Sequence, residues 1–135
     1  MHTHILIPVA LDHEGLAPRK IEVARKLLAK GGHLTLLTVL EDVPGFVAEF
    51  VTVKSANHLS DKVRARLDAI ADGADDIRTA VVTGKPGVKI AEFARANAVD
   101  LIVVASHSPS AQDYFLGSTA ARVARRAPCS VYILR

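Results

Sequence analysis

The sequence predicts an α/β fold: a single, doubly wound domain on a five-stranded parallel sheet of order 3-2-1-4-5, with helices on both faces. Continuous apolar runs at residues 5–9 and 101–105 are typical of parallel strands covered on both sides. Segments with helical periodicity alternate with the strands, which favours a doubly wound sheet. The chain has 135 residues, so we expect one domain over residues 1–135.

Strand and helix patterns follow one another along the whole chain. Helices are predicted where apolar residues recur at helical spacing, and strands where apolar residues run between turn residues. The predicted elements are strands at residues 5–9, 33–40, 77–83, 101–105 and 131–134, and helices at residues 16–30, about 57–71, 88–96 and about 117–127. Right-handed crossovers limit the possible topologies, and 3-2-1-4-5 is the natural strand order among them.

The first helix is predicted to place its apolar face on the sheet and its charged residues elsewhere. Ile21, Ala24 and Leu27 share that face, whereas Lys20 falls largely outside it. Gly31, with the glycine after it, is expected to end the helix. Residues 41–55 are too apolar for a free linker, so we expect them to fold over the sheet edge or to form an oligomer contact.

Charge and composition exclude several classes of partner. The net charge is +3, and basic and acidic residues alternate without a dense basic run, so we expect no nucleic-acid partner. No apolar run approaches the length of a membrane span, and no signal-peptide pattern opens the chain. We therefore expect a cytoplasmic protein without a membrane partner. The lone cysteine, Cys129, is interpreted as a buried, inert thiol.

Topology places the candidate ligand site where the first and fourth strands end, because the winding of the sheet reverses there. Two loops meet at this point, at residues 10–15 and 106–118. The second loop leads into a helix at Gly117, and helix N-termini bind phosphate through free backbone N–H groups. Ser118 and Thr119 add hydroxyl groups there. The alternative is that Ser118 only caps the helix, which serine often does.

Both ends of the chain carry a recognisable pattern. Ala105-Ser106-His107 follows the fourth strand, Leu116-Gly117-Ser118 opens the last helix, and Pro128-Cys129 precedes the last strand. Together with residues 5–9, this pattern resembles the universal stress protein family over essentially the whole chain. The resemblance implies an adenine nucleotide alpha hydrolase-like fold and a small regulatory protein of the stress response that binds ATP, ADP or AMP. In this reading the nucleotide orders residues 106–118 and changes a surface that a partner recognises.

The resemblance departs from the family's strict ATP-binding pattern, Gly-x2-Gly-x9-Gly-Ser/Thr, at several positions. Ala105 and Ser108 stand where that pattern has its first two glycines, and the loop is one residue shorter. Ala10 stands where nucleotide binders of the family usually carry an aspartate near the adenosine. The shorter loop resembles a branch with Ser-His-Arg-Pro and Tyr-Leu-Leu-Gly-Ser, here with Ser108 in place of the arginine. Members of that branch also hold adenine nucleotides.

The family resemblance, carried over position by position, implies a set of nucleotide-binding residues. They are Pro8, Val9, Ala10, Asp12, Val39, Val104, Ala105, Ser106, His107, Ser108, Gly117, Ser118 and Thr119. The strand ends are expected beside the base and ribose, and the residues from Gly117 to Thr119 around the phosphates. Asp12 is the best candidate for a weak Mg²⁺ contact through the phosphates. A solvated loop is the alternative for this aspartate.

Other candidate motifs favour ordinary structural roles. Gly84-Lys85 lacks the upstream glycine and the following Ser or Thr of a P-loop, so a surface turn over residues 84–87 is expected. His2 and His4 lie on one side of a strand, but at a mobile terminus they make a poor metal site without further ligands. His107 has no paired carboxylate or nucleophile nearby in sequence and is expected to order the loop or contact the ligand.

The sequence leaves three classes of function to be weighed against one another. The first is nucleotide binding without catalytic turnover, although slow ATP hydrolysis stays open. The second is a nucleotide-free stress protein that acts through protein contacts. Val131 and Ile133 lie on a predicted edge strand that invites pairing with a second copy, and family members often form homodimers there. The third is a true enzyme, which the sequence does not favour because an acid/base constellation is missing.

Overall fold

The computed structural model describes residues 1–41, 53–106 and 117–135; the side chains of residues 12–14 and 53–57 lie outside the description. Strands and helices alternate through these ranges. The strands are β1 (His2–Pro8), β2 (Leu28–Leu40), β3 (Ile77–Thr83), β4 (Leu101–Ala105) and β5 (Ser130–Leu134). The helices are a 3₁₀ helix (Leu11–Leu16), α1 (Ala17–Leu27), α2 (Val53–Ala71), α3 (Pro86–Ala96) and α4 (Ser118–Arg126).

The five strands form one parallel sheet in the order β3-β2-β1-β4-β5. This order confirms the predicted 3-2-1-4-5 topology. β1 is the central strand, and it pairs with β2 on one side and with β4 on the other. Because all strands run the same way, the carboxyl ends of β1, β2 and β4 lie side by side at one edge of the sheet, where ligands bind in folds of this class.

The core consists of two apolar layers, one on each face of the sheet. Side chains that alternate along a strand point to opposite faces, so neighbouring residues of β1 enter different layers. One layer joins β1, β2 and β4 to α1 and α2 through residues that include Ile5, Ile7, Leu34, Leu36, Val63 and Leu67. The other joins the same strands to α3 and α4 through residues that include Leu6, Leu37, Ile90, Ile102, Val104 and Val123. Helices therefore cover both faces, as predicted.

The first helix is shorter than predicted. α1 ends at Leu27, and Leu28 is already extended and pairs with His2 of β1. The residues expected to end the helix belong instead to β2, where Gly31 adopts a φ of +84° and the pairing shifts between His2 and His4. A glycine tolerates this left-handed conformation, and it lets the strand bulge before its regular pairing begins.

Other boundaries also differ from the prediction. β1 spans His2–Pro8 and not residues 5–9, and β5 begins at Ser130, one residue early. α3 begins at Pro86 and not after a four-residue turn, because proline fits the first position of a helix. α2 begins at Val53, before the expected start near residue 57. Part of the expected loop after β1 forms the 3₁₀ helix. Most of the irregular stretch predicted at residues 41–55 lies outside the described residues, as does the loop at residues 107–116.

The amino terminus is part of the sheet and not mobile, which corrects the prediction for His2 and His4. His4 is buried; one ring nitrogen lies 3.0 Å from the Asn97 carbonyl oxygen and the other 2.8 Å from Thr35 Oγ1. Its ring centroid lies 4.0 Å from that of His33. Both ring nitrogens of His4 therefore already have hydrogen-bond partners within the protein. In the described parts of the chain, no group of three or more His, Cys, Asp or Glu residues is placed to hold a metal ion.

None of the helices in the described ranges is long and apolar enough to cross a membrane. The longest of them, α2, has 19 residues and carries charged side chains along its length.

Candidate functional site

A cavity of about 640 Å³ opens at the carboxyl ends of β1, β2 and β4. Its volume falls within the range of small-molecule and cofactor sites. Ten of the residues that the family resemblance implied as nucleotide-binding line this cavity: Pro8, Val9, Ala10, Val39, Val104, Ala105, Ser106, Gly117, Ser118 and Thr119. The fold thus brings together residues that are more than 100 positions apart in the sequence.

The end of β1 is held firmly at the cavity wall. The Val9 N–H donates a hydrogen bond of 2.8 Å to the Leu37 carbonyl oxygen, and the Thr38 hydroxyl donates one of 2.9 Å to the Val9 carbonyl oxygen. Thr38 is buried, so its hydroxyl needs this partner. These bonds fix the backbone from Pro8 to Ala10 beside the cavity and leave the small Ala10 side chain, without a carboxylate, at the strand end.

The start of α4 forms the opposite wall. The Gly117 N–H donates to the Ser106 carbonyl oxygen, which ties the helix start to the end of β4. Gly117 is the N-cap residue, and the helix has no side-chain cap and no acidic residue in its first turn. The Ser118 side chain is exposed and makes no capping hydrogen bond, so the alternative that it serves only as a cap is not supported. Among the described residues, the backbone N–H groups of the first turn therefore have no side-chain partner, and such groups bind anions.

α3 contributes a second helix start to the same cavity through Pro86 and Ile90. Lys85 is its N-cap residue, and no side chain caps the helix. Gly84 precedes it with a φ of +144° and donates its N–H to the Leu40 carbonyl oxygen. The Gly84-Lys85 pair thus leads from β3 into α3 and does not form a phosphate-binding loop of its own.

Lys20 is a functional candidate that the sequence analysis missed. It was expected outside the apolar face of α1, but it is buried, with 5% of its surface exposed, on the same side as Ala17 and Ala24. Helical spacing places positions 17, 20 and 24 on one face, and the two alanines leave room for the lysine stem. Its Nζ donates to the Pro8 carbonyl oxygen, and the side chain lines the cavity. Burial lowers the pKa of Lys20 to about 8.

Several predicted site residues cannot be placed. His107 and Ser108 lie outside the described residues, so their positions relative to the cavity stay predictions. Asp12 belongs to the 3₁₀ helix next to the cavity, but its side chain is outside the description. Glu41, at the end of β2, is a described acid that lines the cavity and that the sequence analysis did not single out.

The remaining lining residues are mostly apolar and supply the walls between the polar groups. They are Leu11, Leu16, Leu37, Leu40 and Ala120, besides the residues already named. Sequence reasoning could have found Thr38 and Glu41 from their position at the end of the second strand. Leu11 and Leu16 depend on the 3₁₀ helix, which no sequence signal indicated.

Cys129 lies away from this cavity, just before β5. It is half-buried, whereas the sequence analysis expected a buried thiol. Burial raises the pKa of this thiol above its ordinary value, and the negative charge of Asp100 raises it further. Both causes disfavour the reactive thiolate. The position therefore offers no activated nucleophile.

Comparison with known proteins gives a consistent result. The model of the universal stress protein family matches residues 1–135. The structure of the hypothetical protein MJ0577 is similar to this chain with a TM-score of 0.81 at 21% identity, over 99% of this chain and 96% of that one. Universal stress protein UspA from Lactobacillus plantarum is 27% identical, with a TM-score of 0.70, over 98% and 97% of the two chains.

A third solved structure carries a ligand. A universal stress protein in complex with cAMP is 26% identical to this chain, with a TM-score of 0.61, and the alignment covers 99% of this chain and 97% of that one.

Proposed function

Because the chain belongs to the universal stress protein family, we propose that it is a regulatory protein of the stress response that binds an adenine nucleotide in the cavity between β1 and α4. The observation that carries this proposal is the uncapped first turn of α4, which faces a cavity of nucleotide size. The cAMP complex of a relative supports an adenine nucleotide as the class of ligand.

The two ends of the cavity suit the two ends of a nucleotide. The backbone N–H groups after Gly117, with the Ser118 and Thr119 hydroxyls, provide donors for phosphate oxygens. Val9 and Val39, at the ends of β1 and β2, provide apolar surface for the base. Pro109 and the residues from Tyr114 to Ser118 support assignment to the short-loop branch of the family. We propose that any Mg²⁺ is held mainly by the phosphates, with Asp12 or Glu41 as its protein contact.

We propose binding without efficient turnover. Of the described residues that line the cavity, Lys20 and Glu41 are the ones with ionisable side chains. Efficient hydrolysis would need a base positioned to activate water, and this pair offers no second carboxylate or histidine for that task. The cytoplasm remains the compartment that we propose, and the lack of a second cysteine is in keeping with a reducing environment.

Isothermal titration calorimetry with AMP, ADP, ATP and cAMP, with and without Mg²⁺, tests the proposed function. Gly117→Val is the matched variant, since Gly117 has a φ of −58° that valine also adopts, and the added side chain would crowd the helix start. We expect at least about tenfold weaker binding, which corresponds to about 1.4 kcal/mol. Ala124→Val, at an exposed position further along α4, is the control. The absence of any binding at about 1 mM nucleotide, a very weak affinity, would overturn the proposal.

A second candidate function is a homodimer that acts through protein contacts. β5 is an edge strand of the sheet, and edge strands carry unpaired backbone groups that a second copy can use. Val131 and Ile133 pack partly against the layer formed with α3 and α4, whereas Tyr132 points to the other face and is 40% exposed. We therefore propose that a dimer would pair the β5 backbones and bury Tyr132. This candidate does not exclude nucleotide binding.

A further inference from the structure

Lys20 places a buried positive charge in the wall of the cavity. A charged side chain is rarely buried unless an opposite charge or several hydrogen bonds compensate for its loss of water. Here the described compensation is one hydrogen bond, from Nζ to the Pro8 carbonyl oxygen. An ammonium group has three N–H donors. Among the described residues no carboxylate meets Nζ, and two of its three donors have no partner there.

The position of this charge is distinct from the start of α4. Lys20 is fixed to the end of β1 through Pro8, and the α4 donors lie on the wall formed by the end of β4. Both walls belong to the same cavity. A ligand that satisfies both sites needs an anionic group at each of them. In the proposed binding mode, the wall at β1 faces the nucleoside and the wall at α4 faces the 5′ phosphates.

Among the described side chains, the end of β1 carries no acid of the kind that would suit an unmodified ribose. In dinucleotide-binding folds a carboxylate accepts hydrogen bonds from ribose hydroxyls, and a cation in that region accommodates a phosphate on the ribose. This chain has the methyl group of Ala10 at the strand end, and the Lys20 ammonium is bonded to the carbonyl oxygen of Pro8 close by. Among the described groups at this strand end, the chemistry suits a phosphate better than a diol.

We propose that Lys20 is a second phosphate-binding residue of this cavity, and that it selects adenine nucleotides phosphorylated on the ribose as well as at the 5′ position. The inference rests on the proposed nucleotide-binding function and specifies its ligand class. A phosphate at the 2′ or at the 3′ hydroxyl has the same chemistry, and separate ligands distinguish the two. Burial lowers the pKa of Lys20, and a bound dianion would favour the charged form and raise this pKa.

The test compares three ligands by calorimetry at pH 7: AMP, adenosine 2′,5′-bisphosphate and adenosine 3′,5′-bisphosphate. For the wild-type protein we expect one bisphosphate to bind at least about tenfold more tightly than AMP. Lys20→Met keeps the length and apolar character of the stem. In this variant we expect the dissociation constants of AMP and of that bisphosphate to differ by no more than about twofold. Lys26→Met is the control: the Lys26 side chain is 76% exposed on the same helix, and this change should preserve the ratio.

A second measurement uses the unaltered protein and covers the case in which Lys20→Met does not fold. The ammonium loses its proton as pH rises through its pKa, whereas the phosphates are already mostly dianionic at pH 7 and change little above it. The preference for the bisphosphate should therefore decline steadily between pH 7 and pH 10.

The possible outcomes separate the two proposals. Equal affinities for AMP and both bisphosphates would overturn the role of Lys20 and leave the nucleotide-binding function intact. A preference that survives in Lys20→Met, or that does not change with pH, would also overturn this inference. Binding of none of the three ligands would overturn the proposed function and the inference with it. A preference that is lost in Lys20→Met but kept in Lys26→Met would support both.

Discussion

Single residues at the two ends of β1 have environments that differ from those of ordinary surface groups. At the carboxyl end, Lys20 is buried in the cavity wall beside the Pro8 carbonyl oxygen. At the amino end, the His33 ring lies against the His4 ring at a tilt of 34°, and its Nε2 atom is buried without a hydrogen-bond partner among the described residues. Each environment disfavours a positive charge, so each makes stability depend on pH.

Lys20→Met should stabilise the ligand-free protein. Burial lowers the pKa of Lys20 to about 8, so at pH 7 the folded state bears the cost of desolvating an ammonium that the unfolded chain keeps in water. We expect the free energy of unfolding to rise by about 1–3 kcal/mol at pH 7. The loss of the hydrogen bond to Pro8 places the expected value toward the lower end of this range. As pH rises from 8 to 10.5, the folded wild type loses its proton before the unfolded chain does, so the gain should shrink. Urea unfolding of both proteins at several pH values measures this difference in stability. A Lys20→Met protein that is less stable than the wild type at pH 7 would contradict the prediction.

The stacked histidines predict a loss of stability in mild acid. Burial lowers the pKa of His33, and the neighbouring His4 and Arg78 lower it further. As pH falls below 6.5, the unfolded chain takes up a proton at this position before the folded state does, and stability decreases. His33→Phe keeps an aromatic ring against His4 but does not titrate. The variant should lose less stability than the wild type between pH 7 and pH 5, as measured by urea unfolding. Parallel stability curves would refute this account.

The sequence predicted individual site residues less completely than it predicted the strands and their order. Pro8, Ala10 and Gly117 were assigned to the ligand end of the sheet from topology and family resemblance, and they line one cavity. Lys20 could not be assigned in this way, because a lysine on an amphipathic helix is usually solvated. Its burial depends on the phase of α1 relative to β1, which is set by the 3₁₀ helix before it and by the small residues Ala17 and Ala24.

The contact between α3 and α4 determines the shape of one side of the cavity. Gly87, in the first turn of α3, is buried against Arg122 of α4. A Cβ atom at position 87 would lie 2.7 Å from the Arg122 Cβ atom, which is closer than carbon atoms approach. Since this atom is attached directly to the α4 backbone, it cannot move without the helix. Pro86 and Thr119, next to the contact, line the cavity.

Gly87→Ala should therefore push α3 away from α4. We expect a loss of about 1–3 kcal/mol in the free energy of unfolding, as for other overpacked positions, together with weaker nucleotide binding. Gly15→Ala is the matched control, because a Cβ atom there would meet nothing within 4 Å. Thermal unfolding and calorimetry of both variants check the prediction. Unchanged stability and affinity in Gly87→Ala would show that this contact does not shape the site.

At the element scale the strands were easier to predict than the helix starts. β3 and β4 have the predicted bounds, because an apolar centre in β3 and a continuous apolar run in β4 lie between turn residues and leave few alternatives. The start of α3 was misplaced, since Pro86 fits either a turn or a first helical turn. The transition from α1 into β2 at Leu28 has no sequence signal, because leucine suits both elements and the pairing with His2 decides between them.

For the whole molecule, the arrangement of the sheet leaves β5 at one edge and the cavity at the carboxyl ends of the inner strands. A dimer formed through β5 would therefore leave the cavity open. Val131 and Ile133, which the sequence analysis connected with a dimer, lie partly against the core, and Tyr132 is the exposed apolar side chain of this strand. Fold topology was predictable at this scale because alternating strands and helices indicate a doubly wound sheet, and right-handed crossovers limit its possible strand orders.

Tyr132→Lys should convert the proposed dimer to a monomer, because a lysine on an edge strand opposes pairing with a second copy. The substitution is at a 40% exposed position, so we expect little change in stability. Leu59→Lys, at a 52% exposed position on α2, is the matched control and should keep the wild-type mass. Light scattering coupled to size-exclusion chromatography measures the mass. A wild-type monomer, or a Tyr132→Lys dimer, would contradict the proposed interface.

The central claim is that an adenine nucleotide binds with its phosphates at the start of α4. The most direct measurement is a titration of ¹⁵N-labelled protein with AMP, followed through backbone amide signals in two-dimensional NMR spectra. The account predicts that the amides of Ser118, Thr119 and Ala120 shift most, together with those at the end of β1, and that the shifts saturate with nucleotide concentration. Saturating shifts confined to another surface, or no shifts at millimolar AMP, would contradict it.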